Sequence, residues 1–292
     1  MNTSDTIVTK RATVPTIESL LFTPHPVLDH GFVTVVDYMG DDAAICQAAR
    51  VSYGKGTRSV SDNRNLINYL MRHRHTSPFE MCVLKLHLKM PLFVARQWVR
   101  HRMASINEYS ARYSVLDKEF YVPEEGVICT QSANNKQGRG EQISPKKARE
   151  VAERLAREAQ QSYHTYEQFL GEEYSLAREL ARINLPLSMY TQFYWKIDLH
   201  NLFHFLTLRC EGHAQYEIRE YAHVILRIVE SWVPLSFAAF KDYRLNAVTF
   251  SQTMMGVLRR ILAGENVQQK NSGLTKREWE EFQASLSTSP HQ

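Results

Sequence analysis

The chain has 292 residues, of which 43% are hydrophobic, 11% aromatic and 23% charged. This is enough apolar material for a substantial core and excludes a disordered or collagen-like chain. Lys and Arg total 35 against 31 Asp and Glu, a net charge of +4, too small a bias for a general nucleic-acid binder but compatible with a local basic pocket. Length alone suggests about two domains, yet no repeat or Gly/Ser-rich linker divides the sequence, which favours one compact domain with appendages.

Cys46, Cys82, Cys129 and Cys210 stand far apart with no C-x-x-C pair, the usage of reduced thiols in the cytoplasm rather than of a disulfide frame or zinc ribbon. The opening residues 1–21 lack the continuous apolar core of a signal peptide. The longest apolar runs, such as Met90 to Ala95, fall well short of the ~20 residues that span a membrane. A soluble, cytoplasmic protein is expected, with no membrane partner.

In chain order, Phe32 to Tyr38 (FVTVVDY) is β-branched and apolar, the composition of a strand, while Asp41 to Arg50 and Asn63 to Arg72 read as short helices. From Cys82 to Met90, Leu84, Leu86, Leu88 and Met90 alternate with Val83, Lys85, His87 and Lys89, the period-2 mark of a strand. Pro91 stands where the next helix begins. Residues 125–143 are polar and Gly/Asn-rich and read as a loop or insertion. Ser144-Pro145 opens the longest helix and Gly171 stops it. Met189 to Ile197 reads as a strand, and Asp198 caps a helix that carries Leu202, Phe205, Leu206 and Arg209. Ala214, Ile218, Tyr221, Ala222, Ile225, Ile228, Val229 and Trp232 form a helical stripe packed along most of its length. Beyond Lys241 the chain is more polar, with weak amphipathic patterns near Met254 to Leu262 and Trp279 to Phe282. The expected division is an N-terminal extension (1–27), one compact domain (28–240) and a partly helical appendage (241–292).

The densest polar signal runs from Gln97 to Tyr113. On a helix, Arg100, His101 and Arg102 would fan out at ~100° steps and form no single solvated stripe. In a helix-ending or extended segment they can converge on an anion, the two guanidinium groups offering bidentate forks for phosphate. Ser105, Ser110 and Arg112 add donors, and Glu108 supplies an acceptor for a ribose hydroxyl or an arginine. For an isolated R-H-R, stabilisation of a helix C-terminus is the simpler reading.

The string R-H-R-x-x-S-x-N-E-x-S-x-R-Y is complete from Arg100 to Tyr113, with nine fixed positions, and resembles the signature of flavin-dependent thymidylate synthases. The resemblance extends over roughly residues 66–240 through His75-Thr-Ser-Pro-Phe-Glu80, Phe93-Val-Ala-Arg-Gln-Trp98, Ala181-Arg-Ile-Asn-Leu-Pro186, Leu206-Thr-Leu-Arg209 and His213-Ala-Gln-Tyr-Glu217. It implies an α/β fold of the α+β type, a mixed central sheet flanked by long helices, assembled as a homotetramer with flavin and substrate bound where subunits meet. The reaction implied is reductive methylation of dUMP to dTMP, with FAD as cofactor, 5,10-methylenetetrahydrofolate and NADPH as co-substrates, and tetrahydrofolate released.

Carried over position by position, the resemblance puts Gln97, Trp98, Val99, Arg100, Glu108, Tyr109, Ser110, Ala111, Arg112, Arg182 and Arg209 around dUMP. It puts Ser77, Arg100, His101, Arg102, Glu108, Asp198, Leu199, His200 and His204 around FAD, with His75 near flavin and folate. Some family members carry Asn, Arg and Asn at positions 198, 200 and 204, and Met81 replaces a common family His. Arg209 is the expected catalytic residue, its guanidinium stabilising negative charge on the uracil ring.

The same residues admit other readings. His200 and His204 have H-x-x-x-H spacing, but Asn201 follows the first His, so the glutamate of H-E-x-x-H is missing. Flavin contact ranks first for this pair, packed helix histidines second and zinc third, and no metal is expected. Cys210 beside Arg209 could be an activated thiolate, but a small buried thiol is favoured, and Ser110 has no identifiable base. Another flavin- and folate-dependent nucleotide modifier would use the same phosphate pocket. A nucleic-acid-binding module using Arg72, Arg74, Arg96, Arg100 and Arg102 ranks below both, because no repeated basic and aromatic stripe supports it.

Overall fold

The computed structural model describes residues 10–51, 62–133 and 138–287. Part of the opening segment, part of the 125–143 loop and the last residues of the appendage lie outside the described residues. The chain forms two compact units, residues 1–237 and 238–292.

The first unit is built on a five-stranded sheet of β1 (Pro24–Val27), β2 (Gly31–Met39), β3 (Val83–Pro91), β4 (Ser105–Glu108) and β7 (Tyr190–Asp198), in the order β1-β2-β3-β7-β4. The mixed sheet expected from the resemblance is corrected: all four pairings of this sheet are antiparallel, and among the described residues only the isolated Leu21–Val35 bridge is parallel. The excursions between β2, β3 and β7 return each strand against the direction of its neighbour. The extension expected before residue 28 contributes β1 to the sheet and the fully buried Ile17 to the core.

The alternation in β3 buries Leu84, Leu86, Leu88 and Met90 completely. Pro91 belongs to the end of this strand and is the N-cap of the Leu92–Trp98 helix rather than its first residue. Residues 125–143, expected to be a loop, contain a two-stranded hairpin of β5 (Cys129–Gln131) and β6 (Arg139–Gln142). The long helix runs Pro145–Leu170 and ends at Gly171. Helices Leu199–Arg209 and Tyr216–Trp232 follow β7, and Ala214 lies just before the second of these. Among the described residues no helix is long and apolar enough to cross a membrane.

Close packing is visible where Gly31 starts β2. A Cβ there would fall 1.9 Å from the Tyr221 hydroxyl, which donates to the Lys89 carbonyl at 2.7 Å. The second unit contains helices Gln252–Leu262, Gln269–Ser272 and Lys276–Ser287 around a small core of Val257, Leu274 and Phe282.

Asp42 fastens the start of the Asp42–Arg50 helix to the end of the first unit. Its Oδ2 accepts from the Leu235 N–H at 2.8 Å, and its Oδ1 accepts from the Ser236 N–H at 2.9 Å and the Ser236 hydroxyl at 2.6 Å. Ser236 is fully buried, so removing the carboxylate strands donors that water cannot reach. Asp42→Ala is expected to lower unfolding stability by about 2–3 kcal/mol, read from the midpoint shift in chemical denaturation at unchanged m-value.

Candidate functional site

The R-H-R segment begins where a helix stops. Val99 caps the Leu92–Trp98 helix, Arg100 N–H donates to the Gln97 carbonyl at 3.4 Å and His101 N–H to the Trp98 carbonyl at 3.0 Å. The three side chains therefore leave a helix end, the setting in which they can converge. Met103 and Ala104 lead into β4, whose four residues are all exposed at the sheet edge.

Arg100, His101, Arg102, Asn201, His204 and Arg209 line a cleft of about 560 Å³, whose apolar wall includes Met103, Ile197 and Leu208. Three guanidinium groups and two imidazoles face this space, and none of its lining residues is a carboxylate. Such a donor set suits a phosphate-bearing ligand, and the apolar wall suits a flat ring. The residues present thus fit FAD.

Arg209 Nε donates to His101 Nε2 at 3.0 Å. That bond requires an unprotonated Nε2, so the His101 proton sits on Nδ1. Burial, then the charge of Arg209, then His204, push the His101 pKa down to about 4. Burial also lowers the Arg209 pKa. The His101 ring lies edge-on to Phe205 at 4.8 Å, so an aromatic contact and a hydrogen bond hold it together.

Glu108, Tyr109, Ser110, Ala111 and Arg182 line a second cleft of about 350 Å³ with Thr191 and Tyr190. Register explains the placement: Glu108 pairs with Phe193 across β4 and β7, and Tyr109 N–H donates to the Gln192 carbonyl at 2.8 Å. The buried Thr191 hydroxyl donates to Glu108 Oε1 at 2.8 Å. Past the strand, Ser110 organises a turn, its Oγ accepting from the Arg112 N–H at 3.3 Å. Arg112 pairs with Glu179 at 3.1 Å, both side chains being more than half exposed. An exposed pair of this kind is held weakly, so the guanidinium is available to a stronger anion.

The expected residues thus divide between two clefts on one chain, and some take other places. Trp98 and Leu199 are fully buried and Ala111 nearly so, so the Trp98 and Leu199 side chains serve packing. Asp198 spends its carboxylate on the following helix, accepting from Asn201 N–H at 2.9 Å and Asn201 Nδ2 at 2.8 Å. His204 lines the larger cleft, whereas His200 and Val99 do not. Ser77 begins the short Ser77–Glu80 helix, which packs on the Leu199–Arg209 helix through Phe79 and Phe203. His75 is exposed and stacked on Tyr69 at 5.8 Å. It follows a left-handed Arg74 (φ 60°) that closes the Asn63–Arg72 helix, with His75 N–H donating to the Leu70 carbonyl at 2.9 Å.

Cys210 is half-buried, and that burial pushes its thiol up to about 12, the opposite of activation by Arg209. Among the described residues no group of three His, Cys, Asp or Glu side chains is placed to hold a metal. Sequence reasoning missed Thr191, Asn201 and Glu179. Of these, Asn201 carried a signal, standing three residues after a capping Asp and one turn before His204.

The family model described as "Thymidylate synthase complementing protein" matches residues 34–235. A Ruegeria pomeroyi protein named flavin-dependent thymidylate synthase is 60% identical over 95% of this chain and 93% of its own length. A Gluconobacter oxydans protein of the same name is 61% identical over 97% and 94%. Among solved structures, the UMP/dUMP methylase PolB from Streptomyces cacaoi, bound with 5-Br UMP, aligns with a TM-score of 0.68 at 32% identity, covering 75% of this chain and 97% of that one. The signature at the end of the Leu92–Trp98 helix, the matched family model and relatives of this identity over nearly full length agree: the chain belongs to the family of flavin-dependent thymidylate synthases.

Proposed function

We propose that the protein methylates dUMP to dTMP, using FAD, 5,10-methylenetetrahydrofolate as one-carbon donor and NADPH as reductant, with tetrahydrofolate released. The observation that carries this reading is the carboxylate-free cationic cleft around Arg100, Arg102 and Arg209, formed by the signature segment itself. When bound, the flavin supplies the hydride that completes the methyl group.

The protein's own residues bind, orient and stabilise charge. Arg100, Arg102 and His204 are the donors for the cofactor's phosphates, and Met103 and Leu208 the apolar contacts for a ring. Ser110, Arg112 and Arg182 hold the nucleotide phosphate, and Glu108, aligned by Thr191, accepts from a sugar hydroxyl. Arg209 has one donor committed to His101, which fixes the guanidinium while its Nη groups remain for the uracil carbonyl and N3 edge. A fixed cation there stabilises the negative charge that develops when C5 becomes nucleophilic.

In this reading the active enzyme is a homotetramer in which a nucleotide draws on residues of more than one subunit. Two features support it: the expected contacts divide between separate clefts, and large apolar side chains beside them are exposed, among them Met103 at 71%, Tyr113 at 78% and Ile183 at 69%. Large apolar side chains left exposed beside the clefts are side chains that a second subunit would cover. The four unpaired cysteines suit the reducing cytoplasm in which the reading places the enzyme.

The test is a purified protein scanned for a visible flavin spectrum and assayed for NADPH-dependent methylation with methylenetetrahydrofolate. dUMP and UMP are run in parallel, because the Streptomyces methylase is named for both. Protein that stays colourless and inactive with added FAD overturns the reading.

Arg209→Ala is expected to lower turnover by about 10²- to 10³-fold while flavin absorbance is retained. Arg112→Ala, which removes a phosphate contact, is expected to weaken dUMP binding about tenfold with a much smaller change in kcat; calorimetry and steady-state kinetics separate the two. His101 gives a pH dependence. Its folded pKa of about 4 lies below the ordinary 6.5, so the unfolded chain takes up a proton before the folded one does. Stability is therefore full above about pH 6.5 and declines as pH falls towards about 4. His101→Gln should remove that part of the slope, read as the wild-type minus variant difference in denaturation free energy across this range.

A further inference from the structure

Glu217 is 3% exposed, and three side-chain donors meet its carboxylate. Its Oε1 accepts from the Tyr121 hydroxyl at 3.1 Å and from Arg139 Nη2 at 2.5 Å, and its Oε2 accepts from Gln215 Nε2 at 2.8 Å. Tyr121 is held as a donor, since burial and the neighbouring Glu217 raise its pKa. Arg139 reaches Glu217 from β6, with its guanidinium 5.1 Å from the Tyr216 ring centre and Nη1 donating to the Val127 carbonyl at 2.9 Å.

The polarity of this cluster propagates. A carboxylate only accepts, so Gln215 must turn its NH₂ towards Glu217 and its Oε1 away. That Oε1 accepts from Gln97 Nε2. Gln97, which is not among the residues lining either cleft, is thereby set in one of its two amide orientations, with the other N–H and Oε1 turned away from Gln215. Gln215 is the N-cap of the Tyr216–Trp232 helix by position, yet its side chain makes no capping bond. Its amide is committed to the link instead.

We propose that Glu217 is a positioning residue for the nucleotide site, acting through Gln215 to fix the amide orientation of Gln97, with Arg139 of the β5–β6 hairpin holding Glu217 in place. This gives the hairpin a part in substrate binding at a distance. It rests on the reading of Gln97 as a dUMP contact.

The test is a double-mutant cycle on the FAD-loaded full-length enzyme, with dUMP affinity measured by titration and KM and kcat measured by the methylation assay. Gln215→Ala cuts the link at an exposed position, removing the donor to Glu217 Oε2 while leaving the Tyr121 and Arg139 bonds to Glu217 Oε1 in place. It should raise KM and Kd for dUMP about tenfold and change kcat less than about twofold. Glu217→Gln, which can present either amide face, should do the same. Gln97→Ala/Gln215→Ala should bind dUMP no more weakly than Gln97→Ala alone, because the second change removes only what acts through Gln97. A merely structural role would move the melting temperature and not produce this non-additivity. If Glu217→Gln does not fold, the Gln97 and Gln215 cycle still decides. Wild-type affinity in Gln215→Ala, or full additivity in the double variant, overturns the relay alone. A wild-type protein that binds no dUMP overturns the functional reading and the relay with it.

Discussion

The aromatic packing around Trp98 is the constraint on which the site depends. Its indole lies 4.5 Å from Phe205, 5.1 Å from Trp195 and 6.2 Å from Tyr221 between ring centres. One side chain thus ties the Leu92–Trp98 helix to β7 and to the two helices that follow it. Rings of this size carry much of a core's buried apolar area, and their edge-on contacts add direction to it. Gln97 precedes Trp98 in the chain, and Arg100 and His101 follow it after Val99. Phe205 stands four residues before Arg209, about one helical turn. The core contact therefore sets the spacing between the two ends of the chemistry.

That spacing places a guanidinium against an imidazole, an arrangement with an electrostatic cost. His101 stays neutral because burial and Arg209 both oppose its protonation. The neutral ring is the acceptor that Arg209 needs. A charged imidazole would lose the bond and add repulsion to a cleft already lined by three arginines. Like charges gathered without a carboxylate destabilise the folded chain until an anion joins them. Such a cleft stores part of its ligand's binding energy as repulsion in the free protein. Regular secondary structure on either side, β7 and the Leu199–Arg209 helix, keeps the charges in place meanwhile.

Elements governed by local rules were legible in the sequence. The alternation from Leu84 to Met90 became β3, and Asp198 capped the helix after β7 through Asn201. The β5–β6 hairpin was not legible, because its residues are polar and mostly exposed, leaving no buried face to write an alternating pattern. The antiparallel sheet depends on the direction in which long excursions return, which no local signal encodes. Within the site, a motif gives residue type but not side-chain direction. Trp98 and Leu199 sit in or beside matching segments and point into the core, whereas Arg100 and His204 reach a cleft. Gln215 and Glu217 were visible as members of a matching segment, yet their connection to Gln97 spans 118 residues between the two glutamines and exists only once the helices are packed.

The same division explains what the fold leaves unfinished near the site. β4 is a sheet edge whose residues are all exposed, and it pairs on one side only, with β7. Natural edge strands of this kind are normally short, charged or covered. This one is short, and it delivers Glu108 and the turn at Ser110 to the smaller cleft. Tyr113 and Ile183, both largely exposed, sit on the segments that supply Arg112 and Arg182. Apolar side chains in such positions lower the solubility of a lone protomer and offer area to a second copy. Under the proposed assembly, covering them and completing the nucleotide site are one event. The energy of subunit association would then also exclude water from the guanidinium groups, where lower dielectric strengthens every contact they make with phosphate.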